Sequence, residues 1–221
     1  MIGELLRVQN GLQGLWHLEA DGADSGPNGY TLTGSGTPVH ILGKFANGVD
    51  LEASSSQYYS RASAANCNTT GSQTWMAWIK PESLVTGIIA GFDSGSDPGR
   101  KFYSETDGTI VTFISGVTGQ AITPALIVAG NWHHVVFRYD ATGNTLAAFV
   151  NGRKTEVTTS GTADATAAAL AVGADFRGGS DAASNFFDGV IDEVAMFNRA
   201  LSDREVLDYY AWALGGRSSV I

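Results

Sequence analysis

The stretch TWMAWIKP at residues 74–81 has the composition of a buried β-strand that ends at a proline. Proline has no backbone N–H to donate to a sheet ladder, so it closes the strand. Further short apolar segments recur at roughly the 8–12-residue spacing typical of all-β proteins, with glycine, serine and aspartate between them. They lie at residues 14–18, 88–92, 101–104 and 109–114. The pattern predicts an all-β fold.

The segments at residues 133–139 and 145–150 predict a hairpin joined by the loop DATGN at residues 140–144. Asn151-Gly152 then predicts a type I′ turn into a strand at residues 153–157, because both central residues of that turn need positive φ. Alternate residues of a strand share a face. In the first strand one face therefore carries His133, Val135, Phe137 and Tyr139, and the other carries His134, Val136 and Arg138.

One helix is predicted near the end of the chain. The run from Ser202 to Glu205 is a capping box, in which the serine hydroxyl accepts from a backbone N–H and the glutamate reaches back. Apolar residues then follow at helical spacing as far as Leu214, and Gly215-Gly216 supplies the stop. One short C-terminal helix on a many-stranded body predicts an all-β, two-sheet antiparallel jelly-roll sandwich.

Composition and charge exclude several classes of protein. The chain has 221 residues, a length that suits one sandwich domain. It carries 13 Lys and Arg against 22 Asp and Glu, a formal net charge of −9, which disfavours nucleic acid as a partner. No apolar run is long enough to span a membrane, and residues 1–7 lack the features of a secretory signal. The single cysteine, Cys67, excludes an intrachain disulfide and a thiolate zinc cluster.

Several stretches in order along the chain carry a family resemblance. They are GLWHL (14–18), DSGPNGYTL (24–32), GKFANGVDL (43–51), the strand at 74–81, NWHHV (131–135), FVNG (149–152), and FDGVIDEV (187–194) with NRALS (198–202). Together they cover residues 11–211 and resemble the laminin G-like branch of the concanavalin A-like lectin/glucanase superfamily. The resemblance implies one jelly-roll domain over residues 1–221, with short terminal segments at 1–10 and 215–221. This superfamily hosts lectins, adhesion modules, glycosidases and structural domains, so the fold leaves the function open.

A glycosidase would need two carboxylates flanking the scissile bond. The family's hydrolases carry Glu-x-Asp-x-x-Glu on a central strand, and the nearest match here, EADGAD at residues 19–24, ends in aspartate and lies in the first loop. Asp192 and Glu193 are neighbours in a predicted strand, where they are expected to point to opposite faces. We therefore expect no catalytic residues and no enzyme activity.

Calcium is the metal that the resemblance implies. Many relatives hold one structural calcium between the early Asp-Ser-Gly loop and the late Ile-Asp-Glu-Val strand. By resemblance, Asp24 and Asp192 supply side-chain oxygens, and the loop around Asn28 completes the shell. The alternative is that Asp24 caps its own turn and Asp192 is solvated or paired with an arginine. Both interpretations stay open at this point.

A ligand site is expected in two long loops rich in Gly, Ser and Asp, at residues 91–100 and 175–187. Sugar binding would use an aromatic platform with polar groups at its edge. The candidate ligand-binding residues are Phe92, Asp93, Asp97, Arg100, Tyr103, Asp175, Arg177, Asp181 and Asn185.

These observations favour a non-enzymatic recognition or adhesion module that binds carbohydrate and is stabilised by calcium. The alternative is a structural, decoration or tail-associated protein of a phage or virus particle, and a glycoside hydrolase ranks last. The expected partners are a glycan or glycoprotein surface, or neighbouring virion subunits, with a homo-oligomer also open. The expected location is extracellular or on a virion surface.

Overall fold

A computed structural model describes residues 10–64, 70–93, 99–164, 169–175 and 183–215. Cys67 lies outside these residues. Within them the chain forms two antiparallel β-sheets and one α-helix. The prediction of an all-β, two-sheet jelly-roll sandwich with one C-terminal helix is confirmed.

Sheet I contains eight of the described strands. Seven run in the order β13-β12-β11-β6-β15-β4-β3, and β1 pairs with the C-terminal half of β15. Their bounds are β1 (Leu12–Trp16), β3 (Val39–Leu42), β4 (Asn47–Leu51), β6 (Gln73–Pro81), β11 (His133–Asp140), β12 (Thr145–Val150), β13 (Arg153–Thr158) and β15 (Gly189–Phe197).

Sheet II contains seven of the described strands, in the order β10-β9-β8-β7-β14-β5-β2. Their bounds are β2 (Thr33–Ser35), β5 (Tyr58–Arg61), β7 (Gly87–Asp93), β8 (Arg100–Ser104), β9 (Ile110–Ile114), β10 (Ala121–Ile122) and β14 (Ala169–Val172). The strand predicted at residues 74–81 is thus β6, at the centre of sheet I, and Pro81 is its last residue.

The main core lies between the two sheets. Alternation places Trp75, Ala77 and Ile79 of β6 in this core, while Met76 and Trp78 face away from it. The predicted alternation of β11 is confirmed, since Val135, Phe137 and Tyr139 lie in the main core and Val136 lies on the other face. Burying this much aromatic and aliphatic surface is the main stabilising contribution of such a fold.

The outer face of sheet I is covered by α1 (Asp203–Ala213). Its predicted capping box is confirmed: Ser202 Oγ accepts from the Glu205 N–H, and the Glu205 carboxylate accepts from the Ser202 N–H. Val206 and Tyr209 pack against sheet I, and Trp212 stacks on Phe45 with ring centroids 5.3 Å apart. The outer face of sheet I and the helix therefore form a second apolar core.

Two local backbone features set the geometry of the sheets. Asn151 and Gly152 both have positive φ, as the predicted I′ turn between β12 and β13 requires. In β15, Glu193 has φ of +53°, and the register with β6 shifts between Asp192 and Ala195. This bulge interrupts the regular alternation of β15 at its two acidic residues.

The described part of the chain holds a single α-helix of 11 residues, and no described helix is long and apolar enough to cross a membrane.

Candidate functional site

The described residues on either side of residues 176–182 pair with each other next to sheet II. Asp175 and Ser184 exchange two backbone hydrogen bonds of 2.8 and 3.0 Å, which form the loop base. The Phe187 N–H donates to the Gly173 carbonyl, and the Ile88 N–H of β7 donates to the Asn185 carbonyl. Described residues on both sides of residues 176–182 are thus anchored to β7, so the loop base has a defined position.

An ion pair joins this loop base to the outer face of sheet II. Lys101 Nζ lies 2.8 Å from Asp175 Oδ2, and the two side chains are 15% and 3% exposed. Phe102 points into the main core, so Lys101 and Tyr103, its neighbours in β8, point outward. The pair therefore places a largely desolvated cation and anion on the outer face of sheet II.

Half-buried aromatic side chains also lie on β8, on β5 and next to the loop base. Tyr103 is half-buried, and burial together with the negative charge of Glu105 raises the pKa of its hydroxyl. Tyr58 of β5 and Phe186 of the loop are also half-buried, with ring centroids 6.1 Å apart. We define the outer-face site as the ion pair and its neighbours on this face: Lys101, Tyr103, Asp175, Asn185, Tyr58 and Phe186.

Of the predicted ligand-binding residues, Tyr103 points outward from β8, and Asp175 and Asn185 lie at the paired base of the loop. Asp97, Arg177 and Asp181 lie outside the described residues, and Asp93 is described only through its backbone at the end of β7. Lys101 and Tyr58 were missed by the sequence reasoning. Lys101 could have been found from the sequence, because it lies two residues before Tyr103 in the predicted strand and therefore shares its face.

Phe92 and Arg100 require a correction, because both face inward. Phe92 is in the main core and contacts Trp75 edge-to-face, with centroids 5.3 Å apart. Arg100 is 1% exposed, its Nη2 donates to the Asp164 carbonyl, and burial lowers its pKa to about 10. Each residue lies in a strand, at a position that faces the core, and not in a surface loop. Neither therefore offers a side chain to a surface ligand.

The three residues predicted for calcium have other partners. Asp24 Oδ1 accepts from the N–H groups of Leu15 (2.9 Å) and Gly26 (2.7 Å), and its Oδ2 accepts from Tyr30 N–H (2.7 Å). Asn28 Nδ2 donates to the Gln13 carbonyl at 2.7 Å. Asp192 Oδ2 accepts from Phe45 N–H at 2.9 Å on sheet I. Asp24 thus organises its own loop, as the alternative interpretation held. The other half of that alternative is wrong, because Asp192 is buried and has no arginine partner among the described residues.

Within the described ranges, no three His, Cys, Asp or Glu side chains lie close enough together to hold a metal ion. Ca²⁺ takes six to eight oxygen ligands, and the carboxylates of Asp24 and Asp192 already accept hydrogen bonds from backbone N–H groups. We therefore expect EDTA to leave the melting temperature unchanged. A fall in melting temperature with EDTA that added Ca²⁺ reverses would show that the predicted calcium site exists.

The two acidic residues of β15 are buried. Asp192 is inaccessible to solvent, and burial raises its pKa to about 7, with a further contribution from the charge of Glu193. Glu193 Oε1 lies 2.8 Å from His17 Nδ1, and this contact raises the pKa of His17, while burial raises that of Glu193. The charges of both carboxyls raise the pKa of Tyr209 on α1, after burial as the main cause. The expectation of opposite faces is therefore wrong, because the bulge redirects Glu193.

The acidic side chains of residues 19–24, the nearest match to the catalytic motif, lie in an exposed loop. Glu19 and Asp21 are exposed, and Asp21 accepts from Ala23 N–H at 2.8 Å within the loop. Asp24 is bonded as described above. The carboxylates of Asp21 and Asp24 therefore serve as acceptors for nearby backbone N–H groups.

Two antiparallel sheets packed face to face, with aromatic and polar side chains around a loop base, define a jelly-roll sandwich of the lectin-like class. The chain belongs to the concanavalin A-like lectin/glucanases superfamily, whose family model matches residues 53–207. Curated proteins provide no significant sequence match.

Solved structures share the fold at low identity. Domain 4 of AbnA, a GH43 extracellular arabinanase from Geobacillus stearothermophilus, in complex with arabinotriose, has a TM-score of 0.67 and 20% identity over 89% of this chain and 97% of that one. The binding domain of Paraclostridial Mosquitocidal Protein 1 has a TM-score of 0.67 and 14% identity over 93% of this chain and 53% of that one.

The ligand-binding domain of botulinum neurotoxin serotype D, in complex with N-acetylneuraminic acid, has a TM-score of 0.65 and 14% identity over 94% of this chain. This chain spans about half the length of the two toxin domains, at 53% and 52%. At these identities the likeness concerns the fold alone.

Proposed function

We propose that this chain is a non-enzymatic carbohydrate-recognition module that binds a glycan at the outer-face site. The observation that carries the proposal is the Lys101–Asp175 pair, 2.8 Å long and largely buried. Lys101 shares β8 with the half-buried Tyr103, and Asp175 begins the loop that ends at Phe186, whose ring centroid lies 6.1 Å from that of Tyr58. Binding sites of small ligands characteristically combine apolar or aromatic surface with a few oriented polar groups. The outer-face site has that composition.

The chemistry of sugars matches these groups. A pyranose or furanose presents C–H groups that pack on an aromatic ring, and hydroxyls that both donate and accept hydrogen bonds. Tyr103, Tyr58 and Phe186 supply rings and Lys101 donates, while the buried Asp175 holds Lys101 in position. Because the ion pair already orients both charged groups, little side-chain entropy remains to be lost when a ligand binds.

The charge of the protein favours a neutral glycan. The formal net charge of the chain is −9. Lys101, the cation of the described outer-face site, is already paired with Asp175. A carboxylate- or sulfate-bearing sugar would meet this negative field without a free counter-charge from Lys101. We therefore place neutral oligosaccharides ahead of sialylated or uronic ones as ligands.

The comparisons support binding without catalysis. The similar domain of the arabinanase was solved with arabinotriose, and the similar toxin domain was solved with N-acetylneuraminic acid. The carboxyls of Asp192 and Glu193 are buried, and those of residues 19–24 lie in a loop. An extracellular or virion-surface location is part of the same proposal, because glycan partners are found there.

The test compares two ion-paired lysines. Lys101→Ala is expected to weaken binding of arabinotriose at least about tenfold, a loss of about 1.4 kcal/mol, measured by titration calorimetry. Lys154→Ala is the matched control. Lys154 lies on β13 of sheet I, away from the outer-face site, and its Nζ is 2.8 Å from Asp203 of α1. A sialyl-oligosaccharide of similar size is expected to bind more weakly than arabinotriose.

The assay extends to a glycan array carrying neutral and acidic oligosaccharides. If no glycan binds at any calcium level, the proposal of carbohydrate recognition is overturned. If binding is equally strong in the Lys101→Ala and Lys154→Ala variants, the outer-face site is not where the glycan sits. Hydrolysis of β-glucan that disappears in a Glu19→Gln variant would instead show an enzyme.

A further inference from the structure

Strand β9 reverses the alternation that is usual in a sheet with one face in the core and one face toward solvent. Such a strand normally carries apolar residues inward and polar residues outward. In β9, the polar Thr112 is inaccessible to solvent and points inward with Ile110 and Ile114, which lie in the main core. Val111 and Phe113 alternate with them and therefore point outward. The outer face of sheet II thus displays apolar residues where polar ones are expected.

The neighbouring strand β10 adds a third outward apolar residue. Ala121 lies in the main core, so Ile122 points the other way, and it is 50% exposed. Ile122 is paired in register with Val111. We define the β9–β10 patch as Val111, Phe113 and Ile122. Apolar residues that are contiguous on a surface, unlike scattered ones, mark interaction sites and ligand grooves.

Strand pairing joins the β9–β10 patch to the outer-face site. In the β8–β9 ladder, Phe113 lies directly opposite Lys101, and Val111 lies directly opposite Tyr103. Side chains of directly opposite residues share a face, with Cβ atoms about 5 Å apart. The Tyr103 hydroxyl is also hydrogen-bonded to the side chain of Gln120, which directly precedes β10. The patch and the outer-face site are therefore one continuous surface.

We propose that the β9–β10 patch is a second sugar subsite, so that the outer-face site binds an oligosaccharide and not a single sugar. This inference rests on the proposed function and adds where the next residue of the glycan lies. One sugar lies beside Lys101 and Tyr103, and the next packs its C–H groups on the Phe113 ring beside Ile122. Neighbouring strands are about 4.8 Å apart, so β8 and β10 are separated by about 10 Å, which suits two linked sugar rings.

The surroundings of the patch favour a continuing glycan chain as its occupant. Lys101 and Gln120 border the patch with groups that can hydrogen-bond hydroxyls, and ligand sites combine apolar surface with a few such groups. Asp175 and the loop base follow β14, on the other side of β8 in the strand order. The β9–β10 side is therefore the direction that a bound chain takes. A second copy of this chain would bring its charge of −9 against an equal charge.

The experiment compares a trisaccharide with a monosaccharide on the full chain. Binding of arabinotriose is measured by titration calorimetry, and binding of arabinose by NMR titration. Phe113→Ala and Ile122→Ala are each expected to weaken arabinotriose binding about fivefold, the loss that corresponds to about 40 Å² of apolar contact. Neither variant is expected to change the binding of arabinose, which needs only the first sugar position. Ile41→Ala is the matched control, because Ile41 is 38% exposed in β3 of sheet I.

Phe113→Trp tests the same position without removing the ring. The larger ring is expected to keep or strengthen arabinotriose binding, whereas a merely structural role of Phe113 predicts no gain for this variant over Phe113→Ala. Thermal melts of all variants verify that they are folded.

The outcomes separate this inference from the proposed function. If Lys101→Ala weakens arabinotriose binding but Phe113→Ala and Ile122→Ala bind it as Ile41→Ala does, the second subsite is overturned and the proposed function stands. An equal loss of arabinose and arabinotriose binding in Phe113→Ala also overturns it, because the patch would then contact the first sugar. If no glycan binds the wild type, the proposed function falls and the subsite with it. If Ile122→Ala changes self-association of the chain but not glycan binding, the patch is a protein contact instead.

Discussion

Arg138→Ala is expected to lower the free energy of unfolding by about 3 kcal/mol, from the loss of a buried hydrogen bond, two ion pairs and aliphatic packing. Arg138 is 8% exposed and connects three elements of the fold. Its Nη1 donates to the Leu201 carbonyl at 3.0 Å and to Asp203 at 2.6 Å, and its Nη2 donates to Glu156 at 2.6 Å. The substitution leaves a buried carbonyl without this donor at the start of α1.

The loss also includes packing. The guanidinium of Arg138 lies 5.0 Å from the centre of the Phe149 ring on the outer face of sheet I. Alanine removes this cation–π contact and the aliphatic stem. Without Arg138, Glu156 and Asp203 keep Lys154 as a shared cation, with Nζ 3.4 and 2.8 Å away. The charges of Glu156 and Asp203 thus keep one cationic partner. The expected loss of unfolding free energy is therefore smaller than that for leaving a buried charge without any partner.

The measurement is chemical denaturation of the wild type and of two arginine variants. Arg204→Ala is the control, because Arg204 is 73% exposed and pairs with Asp208 four residues on along the helix surface. No measurable loss is expected there, since solvent screens an exposed pair of this kind. Equal midpoints for Arg138→Ala and the wild type would show that the Arg138 contacts do not stabilise the fold.

The second large effect is a dependence of stability on pH that arises from His134. This residue is inaccessible to solvent and lies between the rings of Trp78, Tyr209 and Tyr210, with centroid distances of 5.2, 5.0 and 6.0 Å. Neither ring nitrogen has a hydrogen-bond partner among the described residues. Burial lowers the pKa of His134 from 6.5 to about 3.

The direction of the effect follows from proton uptake. Between pH 6.5 and 3 the unfolded chain protonates His134 while the folded chain keeps it neutral. The unfolded state then binds more protons, so stability is full above pH 6.5 and falls as the pH falls. At about 1.4 kcal/mol per pH unit, His134 contributes a loss of about 3 kcal/mol by pH 4.5.

Other groups on this face of sheet I titrate in the same range. The raised pKa of Asp192, about 7, has the opposite sign, since the folded state then binds the extra proton and stability falls as the pH rises toward 7. The His134 contribution is therefore measured as the difference between His134→Phe and the wild type. Relative to the wild type, the variant is expected to gain about 3 kcal/mol between pH 7 and 4.5.

Phenylalanine is chosen because it fills the space between the aromatic rings without ring nitrogens. Asp192→Asn provides the matched comparison, and its stability relative to the wild type is expected to shift the other way, improving as the pH rises. Parallel pH profiles for His134→Phe and the wild type would show that His134 does not titrate differently in the two states.

The sequence predicted the elements of this fold well because those predictions depend on neighbouring residues. The strand at 74–81, the Asn151-Gly152 turn and the Ser202–Glu205 capping box were all predicted and are all present. Proline closes a ladder, positive φ selects a turn, and a hydroxyl caps a helix within three residues. The exception was β15, where the bulge at Glu193 breaks a strand pattern that the sequence presents as regular.

The candidate site was predicted only in part. Tyr103, Asp175 and Asn185 were named, but Phe92 and Arg100 were assigned to a loop although they lie in strands and face the core. Which residues of a strand face the core depends on the register and on where the bulges fall. In β7 the register with β8 shifts between Ile88 and Ala90, and a shift of this kind is not encoded in alternation alone.

By itself, then, the sequence determined the class of fold, its main turns, its helix start and its acidic composition. The tertiary structure alone decided which distant residues meet: Lys101 with Asp175, 74 residues apart, and Arg138 with Asp203, 65 residues apart. It also decided that His134 and Asp192 are buried on the side covered by α1. The reason is physical, since local preferences act through neighbouring backbone groups, whereas burial and pairing arise only when the sheets stack and the loops close.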